Sequence, residues 1–273
     1  MSELTSLFSL VGRRALVTGG ATGVGYMIAR GLAMAGAEVM IASRKAESCR
    51  AAAARIAGDG LAGSVSGFGG DVATEQGIAD LVEEVGARTD RLDILVNNAG
   101  VSWGAPIETF PHEQWARVMG VNVAGMFTLT RSLLPLLRAA ASAENPARIL
   151  NIGSVMGSVP VTEGAYSYTM SKAAVHHMTK VFAAEFAPDH ITANALAPGP
   201  FPSKMTAFAT GTPEGAERVG RNVPLGRIGR ESDLAGAAIF LCSAAGAYVS
   251  GAILPLDGGM SVATPVDLFA NTL

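Results

Sequence analysis

Short runs of apolar and β-branched residues recur along the chain, separated by longer Ala-rich segments whose apolar positions fall three and four apart. The runs predict strands at 14–18, 38–42, 64–68, 92–96, 148–152, 191–195 and 252–256. Between them the 3.6-residue period predicts helices over 25–35, 46–57, 74–86, 111–140, 167–186 and 232–243. Runs apolar on both faces, alternating with helices, are what a parallel sheet covered on two sides requires, because each strand is buried twice. The pattern therefore predicts an α/β chain of 273 residues. It reads as one doubly wound domain over 1–273, with a mostly parallel sheet of about seven strands and helices on both faces. The stretch 198–230 breaks the rhythm with Pro200, Pro202, Pro213 and Pro224, and reads as a lid-like insertion.

Composition narrows the function classes. The chain is 49% hydrophobic and only 16% charged, which calls for a large interior and excludes a disordered scaffold. The net charge is −3 and no basic stripe gathers, so nucleic acid is not an expected partner. Residues 234–256 carry no charge and are long enough to span a bilayer, but Gly236, Gly246, Gly251 and Pro255 divide them into helix, turn and strand. No membrane partner is expected. The opening residues lack the order of a secretory signal, and Cys49 and Cys242 form neither a disulfide framework nor a metal spacing. A cytoplasmic setting without a metal is the resulting expectation. His176 and His177 read as helix surface or subunit contact.

Candidate chemistry begins directly after the first strand. Gly19, Gly23 and Gly25, with Thr22 and Val24 between them, form a Gly-x-x-x-Gly-x-Gly turn that opens a helix. Glycines there permit a tight turn and close approach of a pyrophosphate, and the helix N-terminus offers unpaired N–H groups and partial positive charge. Farther on, Tyr168 and Lys172 form the one Tyr-x-x-x-Lys pair in the chain. At i and i+4 they share a helix face, so the ammonium can act on the phenol and bring its pKa of about 10 toward neutrality for general acid/base work.

With these motifs in this order, the chain resembles the short-chain dehydrogenases/reductases, in the branch roughly 250 residues long, over about residues 9 to 260. The resemblance implies a Rossmann-like fold and hydride transfer between a nicotinamide cofactor and a carbonyl or secondary alcohol. It implies that Asp71 and Val72 hold the adenine, that Asn98, Ala99 and Gly100 of the Asn-Asn-Ala-Gly element line the cofactor cleft, and that Lys172 holds the nicotinamide ribose. Phe201 and Ser203, in Pro-Gly-x-x-x-Ser, are implied to bind the carboxamide. Ser154, 14 residues before Tyr168, is implied to steady the substrate oxygen, and Asn122 to complete the catalytic set through a water relay. At the tip of the second strand stands Arg44 where an NAD-preferring relative carries an acid, which favours NADP(H) over NAD(H).

Strings at 102–105, 144–155 and 201–205 are similar to the rhamnolipid-type NADPH-dependent β-ketoacyl reductases, and Trp103, Val155, Met156, Met205 and Phe208 point to a mostly apolar pocket. A 3-oxoacyl compound or another apolar ketone is the small-molecule substrate that follows. The alternatives are an NAD-dependent sugar/polyol or broad alcohol dehydrogenase and, from another class, a nucleotide-sensing protein without turnover. Relatives of this kind assemble as homodimers or homotetramers.

Overall fold

In the computed structural model, which describes residues 3–160 and 164–263, a strand forms at each predicted place. These are β1 (Arg14–Thr18), β2 (Glu38–Ser43), β3 (Ser64–Gly69), β4 (Ile94–Asn97), β5 (Ala147–Ile152), β6 (Ile191–Pro198) and β7 (Ile253–Leu256). They form one seven-stranded sheet in the order β3, β2, β1, β4, β5, β6, β7. Every pairing is parallel. β4, β5 and β6 are buried along their whole length, their mostly apolar residues broken by the buried Asn97, Arg148, Asn151, Thr192 and Asn194, whereas β3 at the edge alternates toward solvent.

The helices are α1 (Glu3–Phe8), α2 (Gly23–Met34), α3 (Ala46–Ala57), α4 (Glu75–Gly86), α5 (Glu113–Met119), α6 (Met126–Ala140), α7 (Tyr166–Glu185), α8 (Ala207–Thr210), α9 (Pro213–Gly220) and α10 (Glu231–Cys242). Two apolar layers result. On one face α2, α3 and α10 bury Ile28, Leu32, Ile56 and Leu234 against the sheet. On the other, α4, α6 and α7 bury Leu81, Leu129, Leu133 and Phe182. The chain is thus a Rossmann-like, doubly wound α/β fold.

Three differences from the sequence pattern have physical causes. The helix expected over 111–140 is interrupted by a π-helical turn, Gly120–Gly125. A Cβ at Gly125 would meet the Val72 carbonyl at 2.1 Å, so the wider turn presses bare backbone onto the loop after β3. The segment 198–230 folds into α8 and α9 instead of remaining irregular, with the Thr212 hydroxyl capping α9 by accepting the Gly215 N–H at 3.1 Å. α1 was invisible to the pattern because none of its side chains is buried. The uncharged stretch 234–256 divides as expected, and no described helix is long and apolar enough to cross a membrane.

Candidate active site

The chain leaves β1 toward β2 and β4 toward β5, in opposite directions, so a crevice opens beyond the carboxyl ends of the strands. The cleft there measures about 1420 Å³, above the roughly 300–1,000 Å³ of an ordinary small-ligand pocket. It has room for a dinucleotide together with a substrate.

At one end lies the glycine turn. Gly19 and Gly23 adopt φ of +67° and +57°, a region that side chains with a Cβ rarely enter. A Cβ at Gly25 would stand 2.4 Å from Asn98 Nδ2 and 2.6 Å from the Gly19 carbonyl, so packing also demands glycine there. The loops after β1 and β4 are held together by Thr18, which the motif reading passed over. Its hydroxyl accepts the backbone N–H groups of Asn98 and Ala99, both at 3.0 Å, while Asn98 Nδ2 donates to the Thr18 carbonyl at 2.7 Å. Thr22 precedes α2 in an extended conformation and makes no side-chain cap, so the first N–H groups of α2 face the cleft without an internal partner.

Thr22, Val24, Arg44, Asp71, Val72, Asn98, Ala99 and Gly100 all line this end. Arg44 and Lys45 stand exposed just past β2, and among the described residues neither is in an ion pair. A loop with no room for Cβ atoms, free helix N–H groups and two uncommitted cations fit a dinucleotide with an extra phosphate.

At the other end Ser154, Tyr168 and Lys172 share the wall with Phe201 and Ser203. α7 carries Tyr168 and Lys172, and a buried polar ladder locks it to the sheet. Asn97 Nδ2 donates to Thr130 Oγ1 at 3.0 Å and to Asn151 Oδ1 at 2.9 Å, and Asn151 Nδ2 donates to Thr179 Oγ1 of α7 at 3.0 Å. The buried Lys172 places Nζ 5.5 Å from the centre of the Tyr168 ring and donates to the Ile152 carbonyl at 2.7 Å. Burial pulls its pKa down to about 8, so it remains mostly protonated at neutral pH.

The phenol behaves differently from the expectation. Burial raises the Tyr168 pKa, with the Ser154 hydroxyl acting in the opposite direction, because desolvation of a phenolate in the protein alone outweighs its neighbours. Ser154 is buried at the end of β5, and its Oγ accepts the Met156 N–H at 3.2 Å in a short 3₁₀ turn, Val155–Gly157.

Asn122 is the one predicted site residue that is not on the cleft wall. It sits in the π turn, 3% exposed, where its Oδ1 accepts the Val101 N–H at 2.8 Å. Its Nδ2 donates to the Val101 carbonyl and to Ser171 Oγ, each at 2.9 Å. The Phe201 ring packs on Gly229, its carbonyl accepts the Thr206 hydroxyl at 2.7 Å, and Ser203 Oγ accepts the Thr206 N–H at 3.2 Å.

Trp103, Val155, Met156, Met205 and Phe208 line the same cleft as Tyr168, as expected, and Arg117 and Lys204 are among its lining residues too. His176 also departs from its reading: it is 7% exposed, under the Ser154 loop, whereas His177 faces solvent.

A family model described as enoyl-(acyl carrier protein) reductase matches residues 19–261. The rhamnolipids biosynthesis 3-oxoacyl-(acyl-carrier-protein) reductase of Pseudomonas aeruginosa is 47% identical over 252 residues, covering 92% of this chain and 97% of that protein. The solved Pseudomonas aeruginosa RhlG/NADP active-site complex superposes with a TM-score of 0.90 at 46% identity, over 94% of this chain and 99% of the other. A gluconate 5-dehydrogenase from Burkholderia cenocepacia J2315, solved in complex with NADP and tartrate, gives a TM-score of 0.85 at 35% identity, over 96% and 100% of the two chains.

Proposed function

The chain belongs to the short-chain dehydrogenase/reductase family and is an oxidoreductase of CH–OH and carbonyl groups with NAD(P), and on that premise we propose that it reduces 3-oxoacyl thioesters or similar ketones with NADPH. One observation carries the reading: a single cleft is lined at one end by the glycine turn and Arg44, and at the other by Ser154, Tyr168 and Lys172.

In this reading Gly19, Thr22, Gly23, Val24 and Gly25 hold the pyrophosphate with backbone N–H groups. Arg44 meets the 2′-phosphate by charge-assisted hydrogen bonds, and Asp71 and Val72 flank the adenine. Asn98, Ala99 and Gly100 form the floor, and Lys172 holds the ribose near Tyr168. Phe201 and Ser203 would hold the carboxamide. When bound, NADPH supplies the hydride. The Tyr168 hydroxyl gives its proton to the carbonyl oxygen, and the Ser154 hydroxyl donates a hydrogen bond to the same oxygen as negative charge develops. Lys172 faces the phenol and stabilises the phenolate left behind. Asn122 holds Val101 and α7 in register around these groups, and the family's relay water is the other part assigned to it.

The exposed Phe127 on α6 and Met170 and Val181 on α7 suit the pairing of subunits into a dimer or tetramer. Two buried, unpaired cysteines, Cys49 and Cys242, suit the cytoplasm. The segment 198–230 acts as a lid, with Met205 and Phe208 at its rim. A second reading, oxidation of a sugar acid, is favoured by Arg117 and Lys204 among the residues lining the cleft, two cations that would pair with a carboxylate.

Steady-state assays with NADPH and NADH, on 3-oxoacyl-CoA thioesters and on polyhydroxy acids, test both. We expect kcat/KM to be at least about tenfold higher with NADPH, one charge-assisted contact being worth about 1.5–3 kcal/mol. Arg44→Ala should remove most of that advantage while leaving NADH use unchanged. Equal use of both cofactors by the wild type would overturn the cofactor assignment, and turnover of polyhydroxy acids alone would overturn the thioester.

A further inference from the structure

His176 follows Tyr168 by eight residues and Lys172 by four on α7, so all three project toward the same side of the helix. Instead of reaching the cleft, its imidazole fills the space beneath the loop that carries Ser154. The backbone N–H of Ser154 donates to His176 Nε2 at 3.4 Å, and Nδ1 lies 3.2 Å from Ser158 Oγ at the far end of the loop. Acceptance at Nε2 places the ring proton on Nδ1, where it can be donated to Ser158.

The loop is shaped around the ring. A Cβ at Gly153 would stand 2.2 Å from Nε2, and one at Gly157 would stand 2.7 Å from Cε1. Glycines on both sides of Ser154 therefore let backbone close onto the imidazole. Burial, reinforced by Lys172 and Lys180, holds the His176 pKa at about 4, so Nε2 remains a free acceptor at neutral pH.

We propose that His176 is a positioning residue for this reaction, fixing the backbone nitrogen of Ser154 and thereby the direction in which the Ser154 hydroxyl meets the substrate oxygen. The proposal rests on the part given to Ser154 under the proposed function. It uses a group outside the Ser154, Tyr168 and Lys172 set, and it gives the two glycines around Ser154 a reason. Misplacing a reacting group by about 1 Å can cost on the order of a hundredfold in rate, so the effect belongs in kcat and not in cofactor affinity.

The test is a comparison of His176→Leu, His176→Gln, Ser154→Ala and the double variant His176→Leu/Ser154→Ala, assayed by NADPH oxidation with a 3-oxoacyl-CoA. NADPH affinity is followed in parallel by fluorescence titration. His176→Leu keeps bulk but removes the acceptor, and should lower kcat by roughly tenfold or more with the NADPH Kd within about twofold. His176→Gln carries an amide oxygen to the Nε2 position and should restore most of kcat. Because His176 acts through Ser154, adding His176→Leu to Ser154→Ala should lower kcat by no more than about twofold further.

Wild-type kcat in a folded His176→Leu protein, or losses that multiply in the double variant, would overturn the proposal while leaving Ser154 its part. Wild-type kcat in Ser154→Ala would remove that part and the proposal together. Should the leucine variant fail to fold, His176→Asn serves in its place. Its amide oxygen stops at the Nδ1 position, so it should be slower than His176→Gln, and the reverse order would sink the idea.

Discussion

Tyr168→Phe is expected to lower kcat for NADPH-dependent carbonyl reduction by about 10³-fold or more, while NADPH binds within a fewfold of the wild-type Kd. A positioned general acid contributes typically 10²–10⁴-fold, and phenylalanine removes the transferable proton with little change of shape. The free protein favours this role in the reducing direction, since burial raises the Tyr168 pKa and keeps the phenol protonated through neutral pH. Single-turnover NADPH oxidation beside a fluorescence titration separates chemistry from binding. Retained turnover in the variant would remove Tyr168 from the mechanism, and with it the reason for placing Lys172 4 residues farther along α7.

Lys172→Met is expected to lower kcat/KM by at least about 10²-fold and yet to leave the free protein as stable as the wild type, or more so, at pH 7. The folded pKa of Lys172, about 8, lies below the ordinary value of 10.5, so folding disfavours its charged form. At pH 7 this depression corresponds to roughly 3 kcal/mol of lost stability. Part of this returns through the bond to the Ile152 carbonyl, worth about 1–2 kcal/mol, which methionine cannot make.

The sign of the pH dependence follows from proton counts. Between about pH 8 and 10 the unfolded lysine still holds a proton that the folded one has released, so the wild type gains stability relative to the variant as pH rises. Cys242, held up at about 12 by burial, gives an opposite slope above its ordinary value, but it is common to both proteins and cancels in the difference. Urea unfolding of both proteins at pH 7, 8, 9 and 10 measures this. A stability difference that does not change with pH would mean that Lys172 is not a depressed, buried ammonium.

These two variants also bear on how much of the site could be read before the fold was known. The strands were legible because parallel strands buried on both faces need mostly apolar residues, and β4, β5 and β6 are mostly apolar despite Asn97, Arg148, Asn151, Thr192 and Asn194. The glycine turn was legible because its constraint is local: positive φ at Gly19 and Gly23 is written into residue type. The Tyr168–Lys172 pair was legible because helix geometry brings i and i+4 together wherever the helix lies.

The remainder depended on what each side chain meets. Adjacent histidines on one helix look alike in sequence, yet His176 is buried under Gly153 and Gly157 and His177 is in water. The π turn answers the Val72 carbonyl, which lies in a different connection. The direction of the Tyr168 shift is set by desolvation, and Arg117 and Lys204 come to line the cleft from two separate segments.

From the sequence by itself came the layer order, the glycine turn and the pairing of Tyr168 with Lys172 on one helix, because period, backbone conformation and i, i+4 spacing act over a few residues. Only the tertiary structure decided which polar groups are stripped of water and which loops press together. Those energies arise between segments as distant as Ser154 and His176, whose contact no local pattern encodes.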